Sequence, residues 1–260
     1  MHGNVLQLIP AVVFGLVIGS FLNVLIYRLP RGSSVVTGRS KCPACGHTIF
    51  WHDNIPVLSY VILRGRCRYC RAAIPVRYPM VELLTGAAAG ALAWFLGVTV
   101  EALWAFVFFS ILLVITLIDW SHRIIPDSLS LGGTVIGWIG AVVRPDITLV
   151  DSLLGAVLGG GLLFAVAMGY RALRKIEGMG GGDIKLMAMI GAFLGWKMVF
   201  PVLILASLAG AVYGIYLMRR GASARTAVPF GSFLAPSAAF VYVFGAPLWG
   251  GYLHFVMGPA

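Results

Sequence analysis

Residues 104–120 read WAFVFFSILLVITLIDW, fifteen uncharged residues that end on Asp119. A segment this apolar belongs in the middle of a large core or in a lipid bilayer. The rest of the chain decides between the two. Its 260 residues are 60% hydrophobic and 11% charged, against roughly 45–50% and about 25% in an average soluble domain. With a mean hydropathy of +0.94, the charged residues are too few to cover a water-soluble surface. The apolar excess also excludes disorder. The surrounding solvent must be largely hydrocarbon.

Working outward from that stretch for apolar runs of about 17–25 residues predicts eight spans. They lie near Leu6–Tyr27, Met80–Gly97, Glu101–Ile118, Leu129–Val143, Val150–Tyr170, Ile184–Gly195, Met198–Met218 and Phe233–Met257. The expected fold is therefore an all-α polytopic membrane protein of about eight transmembrane helices with a small cytoplasmic loop domain. Three parts follow: 1–27 a first transmembrane helix, 28–78 the loop domain, and 79–260 a transmembrane core. The sixth span is short and follows a glycine cluster, so it is expected to be broken or buried among other helices. Small residues in 86–90 and 155–161 let helices approach closely.

Basic residues set the orientation. Of the 19 Lys and Arg, nine lie in 28–78, and with the N-terminus outside only Arg144 and Lys197 fall on the outer side. Seventeen on one face satisfies the positive-inside rule. No Lys or Arg precedes the first apolar stretch, which reads as a reverse anchor rather than a cleavable signal peptide. The net charge of +10 thus belongs to cytoplasmic loops beside lipid headgroups. No nucleic-acid partner is expected.

All four cysteines lie in the first loop, as Cys42-Pro-Ala-Cys45 and Cys67-Arg-Tyr-Cys70. Paired C-x-x-C units match a four-thiolate structural zinc site, each pair turning two sulfurs toward one tetrahedral ion. A reducing compartment and a loop without a core of its own favour metal over two disulfides or four unligated thiols. The thioredoxin-like pattern that oxidoreductase chemistry would need is absent. His47 and His52 are expected to be ordinary loop residues, since four thiolates complete the shell.

The chain has nine acids. Glu101, Asp146 and Asp151 fall at outer span ends, and Asp53 and Glu177 in loops, where solvation explains them. Asp119 closes the third span, and Asp183 ends the glycine-rich 178–183, GMGGGD, just before an apolar helix. Both are expected at the cytoplasmic boundary at similar depth, so they can meet. Two facing carboxylates cannot both ionise cheaply, and a shared proton lets one activate water while the other protonates a leaving amine. Asp183 alone could instead be a first-turn acid on a helix dipole, and Asp119 a partner of Arg123. Asp127 looks like the N-cap of the fourth span but competes for a place in the pair. Glu82, one turn inside the second span, is expected to pair with a loop arginine.

These residues resemble the type IV prepilin peptidases, the prepilin leader peptidases/N-methyltransferases of pilus and type II secretion systems. The similarity rests on the ordered set FGLVIGSFLNVLIYRLP (14–30), the paired cysteines, NIPVLSY (54–60) with LRGRC (63–67), RYPMVEL (77–83), Ile118-Asp119 through Pro126-Asp127, and GMGGGDIK (178–185). It implies an intramembrane aspartyl protease of the G-x-G-D type, here Gly180 to Asp183, with Asp119 and Asp183 as the catalytic pair. The enzyme would sit in the bacterial inner membrane and remove the basic leader of a prepilin or pseudopilin at the cytoplasmic face. Many members, which carry the cysteine-bearing first loop found here, then methylate the new N-terminus from S-adenosylmethionine. That second activity is implied by the resemblance alone, since no Gly-rich strand–turn–helix unit for the donor is present. The alternatives are a peptidase without methyltransferase activity, a transporter, whose acids belong in mid-span, and a non-catalytic assembly protein.

Overall fold

The computed structural model describes residues 5–175, 179–221 and 228–257. Its helices are α1 (Val5–Arg28), α2 (Leu58–Ile62), α3 (Arg77–Leu96), α4 (Val100–His122), α5 (Asp127–Val143), α6 (Leu149–Arg174), α7 (Gly181–Leu194), α8 (Val199–Arg219) and α9 (Gly231–Met257). The described residues contain no strand, only isolated bridges at Lys41–Thr48 and Arg66–Ala73. Each of the eight expected spans coincides with a helix. Five of them, α1, α3, α4, α6 and α8, are long and apolar enough to cross a membrane. An all-helical architecture is the expected outcome in lipid, where every backbone polar group must find its partner inside the segment.

The chain divides into two compact units, residues 1–110 and 111–260. In the first, α1 and α3 pack with their backbones close together. A Cβ at Gly15 would stand 2.6 Å from the Thr85 carbonyl oxygen, and one at Gly19 would stand 2.7 Å from the Glu82 Cα. Asn23 Nδ2 donates to the Tyr78 carbonyl at 3.0 Å. Where α1 ends, Arg28 donates to the carbonyls of Ser34, Thr37 and Gly38 at 2.8–2.9 Å, so one guanidinium gathers the chain leading to the first cysteine pair.

In the second unit α7 is the buried element. Leu186, Met187, Met189, Ile190 and Ala192 have no solvent exposure. At 14 residues the helix is roughly 21 Å long, against about 30 Å of hydrocarbon, so it is sheathed by longer helices rather than spanning alone. The sheath depends on small residues. A Cβ on Gly155 of α6 or on Gly191 of α7 would run into the other residue's carbonyl, and one on Gly159 would stand 2.7 Å from the Met187 carbonyl. Across α5, a Cβ on Gly137 would stand 2.9 Å from that of Ala192. Ser152 Oγ donates to the Ala192 carbonyl at 2.6 Å, a polar contact suited to a helix pair in lipid.

Of the boundaries that differ from expectation, two bear on the candidate acids. Helix α4 runs on to His122, where Arg123, at φ 55°, closes it by donating its N–H to the Asp119 carbonyl. Helix α7 begins at Gly181, so Asp183 lies in its first turn rather than before it. Hence both carboxylates sit on regular helix and not on loop. The α6–α7 contact generates a direct test. Gly191→Ala should lower the thermal unfolding temperature in detergent, at the upper end of the about 1–3 kcal/mol cost of overpacking or beyond, because its neighbour is backbone. Gly161→Ala, with nothing within 4 Å of its Cβ position, should be neutral or stabilising. Equal melting temperatures for the two variants would refute this packing.

Candidate functional site

Asp119, near the end of α4, is 5% exposed. Its Oδ2 accepts two hydrogen bonds from one residue, the Ser232 N–H at 2.7 Å and the Ser232 hydroxyl at 2.9 Å. Ser232 is the second residue of α9, so the N–H groups of that helix start are turned on the carboxylate, the end of a helix that favours negative charge, although the Ser232 N–H also reaches the Pro229 carbonyl at 3.2 Å. Asp183 approaches the same place from α7. The backbone N–H groups of Gly180 and Gly231 face its carboxylate, which lies within direct electrostatic reach of Asp119. Successive peptide groups, Gly231 and Ser232, thus serve the two acids in turn.

The glycines around the pair have separate reasons to be glycines. A Cβ on Gly231 would stand 3.0 Å from Asp119 Oδ2 and 2.6 Å from Ile125 Cδ1. One on Gly182 would stand 2.9 Å from the Ile125 Cβ. Ile125, in the link between α4 and α5, therefore packs against the starts of both α7 and α9, and only bare backbone leaves room for it. A Cβ on Gly180 would stand 3.6 Å from Asp183 Oδ2, while Gly181 faces open space. Within Gly180–Gly182, Gly182 is the glycine that the packing requires.

Asp127 lies elsewhere. It is the first residue of α5, with Pro126 in the cap position, and its side chain is 60% exposed and bound through both oxygens to Lys185 Nζ at 2.7 Å. It is thus not the N-cap, because Pro126 already supplies the extended backbone there. Glu82 is not paired with an arginine either. It is buried and accepts the Val57 N–H at 2.7 Å, with Ser20 as a second donor. That bond holds Val57 at φ 60° and ψ −47°, a tight turn that a β-branched residue rarely adopts. Glu177 and Gly178 lie outside the described residues.

The four cysteines converge, their sulfurs all within 4.8 Å of one another and none in a disulfide. Zinc–sulfur bonds of about 2.3 Å in a tetrahedron place sulfurs about 3.8 Å apart, and Cys42 and Cys70 stand at 3.8 Å. This group could hold a metal ion. The pairs sit on two copies of one knuckle, offset by 25 positions in the chain. In each, the first cysteine's N–H donates to the carbonyl five residues on (Cys42 to His47, Cys67 to Ala72), and its carbonyl accepts the N–H four residues on (Gly46, Arg71). Gly46 and Arg71 share the left-handed conformation this turn demands. The backbone N–H groups of Cys70 and Tyr69 pull the Cys67 thiol down to about 7, toward the thiolate that binds metals.

Neither histidine belongs to the cluster. His47 lies against the Tyr69 ring at 3.5 Å between centroids, joining the two knuckles. Asp53, expected to be a solvated loop acid, instead has a side chain that is 7% exposed and grips Arg68 through both oxygens. The Arg68 guanidinium holds its carboxyl below the usual range.

Sequence reasoning missed Gly231 and Ser232. The available signal was Pro229-Phe-Gly-Ser232, a proline followed by Gly-Ser at the head of an apolar run, the composition of a helix start.

Two family models match the chain, the Bacterial Peptidase A24 N-terminal domain over residues 13–96 and the Type IV leader peptidase family over 106–215. Among curated relatives, a protein of Burkholderia pseudomallei (strain 1026b) is 40% identical, the match covering 94% of this chain and 87% of that protein. One of Pseudomonas putida is 38% identical over 92% of this chain and 91% of its own length, and one of Pseudomonas aeruginosa 37% identical over 94% and 92%. All three bear the name Prepilin leader peptidase/N-methyltransferase. No solved structure matches. With this identity sustained along nearly the whole length, the chain belongs to the type IV leader peptidase family.

Proposed function

We propose that this chain is a multi-pass inner-membrane aspartyl endopeptidase that removes the basic leader from type IV prepilins or type II secretion pseudopilins, then methylates the new N-terminus from S-adenosylmethionine. The observation that carries the reading is the meeting of Asp119 and Asp183 over the first turn of α9. Both acids lie within a turn of a helix end rather than in mid-span, which suits cleavage at a membrane boundary better than an ion path through the bilayer.

The chemistry needs only the pair and water. One carboxylate takes a proton from water as its oxygen attacks the scissile carbonyl carbon. The other carries a proton and gives it to the amine as the C–N bond breaks. Like charges this close oppose simultaneous ionisation, so the division of roles is built into the pair. The substrate's apolar helix remains in lipid while its leader stays at the cytoplasmic face, an orientation supported by the distribution of Lys and Arg.

We assign residues 1–27 to a first anchoring helix, 28–78 to a zinc-holding loop domain, and 79–260 to the peptidase core. Cys42, Cys45, Cys67 and Cys70 would hold the zinc, which would supply a structural cross-link in a loop without a core of its own. The methyl-transfer reading rests on the name its relatives share, and no residue is assigned to the methyl donor.

Asp119→Asn and Asp183→Asn should each slow cleavage of a purified prepilin by at least about 10²-fold, while Asp127→Asn should process it at a rate close to the unaltered protein. Normal processing by either of the first two variants would end the aspartyl reading. Mass spectrometry of the mature pilin should show the added mass of one methyl group, and an unmethylated product would leave a peptidase alone. Elemental analysis of the purified protein should find one zinc per chain, lost on Cys42→Ser. A metal-free protein that still folds and cleaves would exclude a structural zinc.

A further inference from the structure

Asp119 Oδ2 is held by an N–H and a hydroxyl that both come from Ser232. The N–H belongs to the backbone, and any residue but proline would supply it. The hydroxyl belongs to this side chain alone. Ser232 is itself 6% exposed, so the hydroxyl has little competition from water, and its proton has two acceptors in reach, Asp119 Oδ2 at 2.9 Å and the Thr116 carbonyl at 3.2 Å. Thr116 lies one turn before Asp119 on α4, so the hydroxyl lies against the turn that leads into Asp119.

Two donors converging on one carboxylate oxygen do what one cannot: they restrict both the position of that oxygen and the rotation of the carboxylate plane. With Oδ2 committed to Ser232, Oδ1 is the oxygen left to take a proton from water when Asp119 acts as the base, and the aim of Oδ1 follows from the anchoring of Oδ2. Asp183 is placed differently, facing the backbone N–H groups of Gly180 and Gly231, and no side chain among the described residues donates to it. The pair is therefore asymmetric in a way that one side chain determines.

We propose that Ser232 is a positioning residue for the peptidase reaction, its hydroxyl fixing the carboxylate of Asp119 so that Oδ1 faces the attacking water. The inference rests on the proposed Asp119/Asp183 chemistry. Active-site groups must be held to within about 0.5 Å and 10–20°, and misplacement by about 1 Å costs roughly a hundredfold in rate. The hydroxyl acts on a group that works in the chemical step and not on the substrate-binding surface, so its loss belongs in kcat.

The test is steady-state cleavage of a purified prepilin in detergent by the full chain, by Asp119→Asn, Ser232→Ala and Ser232→Thr, with thermal unfolding of each variant. Ser232→Ala keeps the backbone N–H and should melt as the unaltered protein does, yet lose roughly ten- to a hundredfold in kcat with KM unchanged within about twofold. Ser232→Thr keeps the hydroxyl and should recover most of that loss. The proposal is overturned if Ser232→Ala cleaves at the full kcat, if its loss falls in KM, or if a normally melting Ser232→Thr is as slow as Ser232→Ala. An inactive unaltered protein, or an active Asp119→Asn, would count against the peptidase reading itself. A full-rate Ser232→Ala beside an inactive Asp119→Asn would count against the role of Ser232 alone.

Discussion

Helix α7 is too short to cross a bilayer unaided, and the contact that resolves this is the backbone-to-backbone approach of Gly155 and Gly191. In hydrocarbon there is no hydrophobic force pressing one helix on another, so close packing and polar contacts must hold them together. Glycine at both sides of the crossing, with Gly159 and Ser152 along the same face of α6, allows the approach and adds a hydrogen bond to the Ala192 carbonyl. Because α7 is held along its length, its first turn is held too. Asp183 therefore projects from a rigid helix with defined neighbours, although a glycine-rich segment precedes it.

The second requirement is to bring two acids together in an apolar protein without leaving either unpaired. The start of α9 meets it by turning consecutive backbone N–H groups on the pair, that of Gly231 toward Asp183 and that of Ser232 donated to Asp119, with the Ser232 hydroxyl in addition. A helix start carries unsatisfied donors and partial positive charge whatever its sequence. Ile125 packs against Gly182 and Gly231, so the link between α4 and α5 also sets the spacing of the two helix starts.

Much of this was readable before any fold was known. Apolar run length located the helices to within a few residues, because in lipid the only open question about such a run is where it begins and ends. The cysteine knuckles were legible from spacing, since a turn that directs two sulfurs at one ion is a local structure. Misreadings fell where a side chain's partner is distant in sequence. Asp53 finds Arg68, Glu82 finds the Val57 N–H rather than an arginine, and Asp127 finds Lys185, 58 positions away. The ends of α4 and α7 were displaced for a related reason: glycine and a left-handed Arg123 extend or close a helix according to what packs beside them.

The sequence by itself determined the solvent, the helical class, the metal-binding pattern and the short list of candidate acids, because hydropathy, C-x-x-C spacing and the scarcity of carboxylates are local or compositional properties. Only the tertiary structure decided that Asp119 rather than Asp127 faces Asp183, and that Gly231 and Ser232 complete the site. Those facts depend on which helix starts converge. That convergence is set by contacts between residues tens to more than a hundred positions apart, such as the 113 separating Asp119 from Ser232.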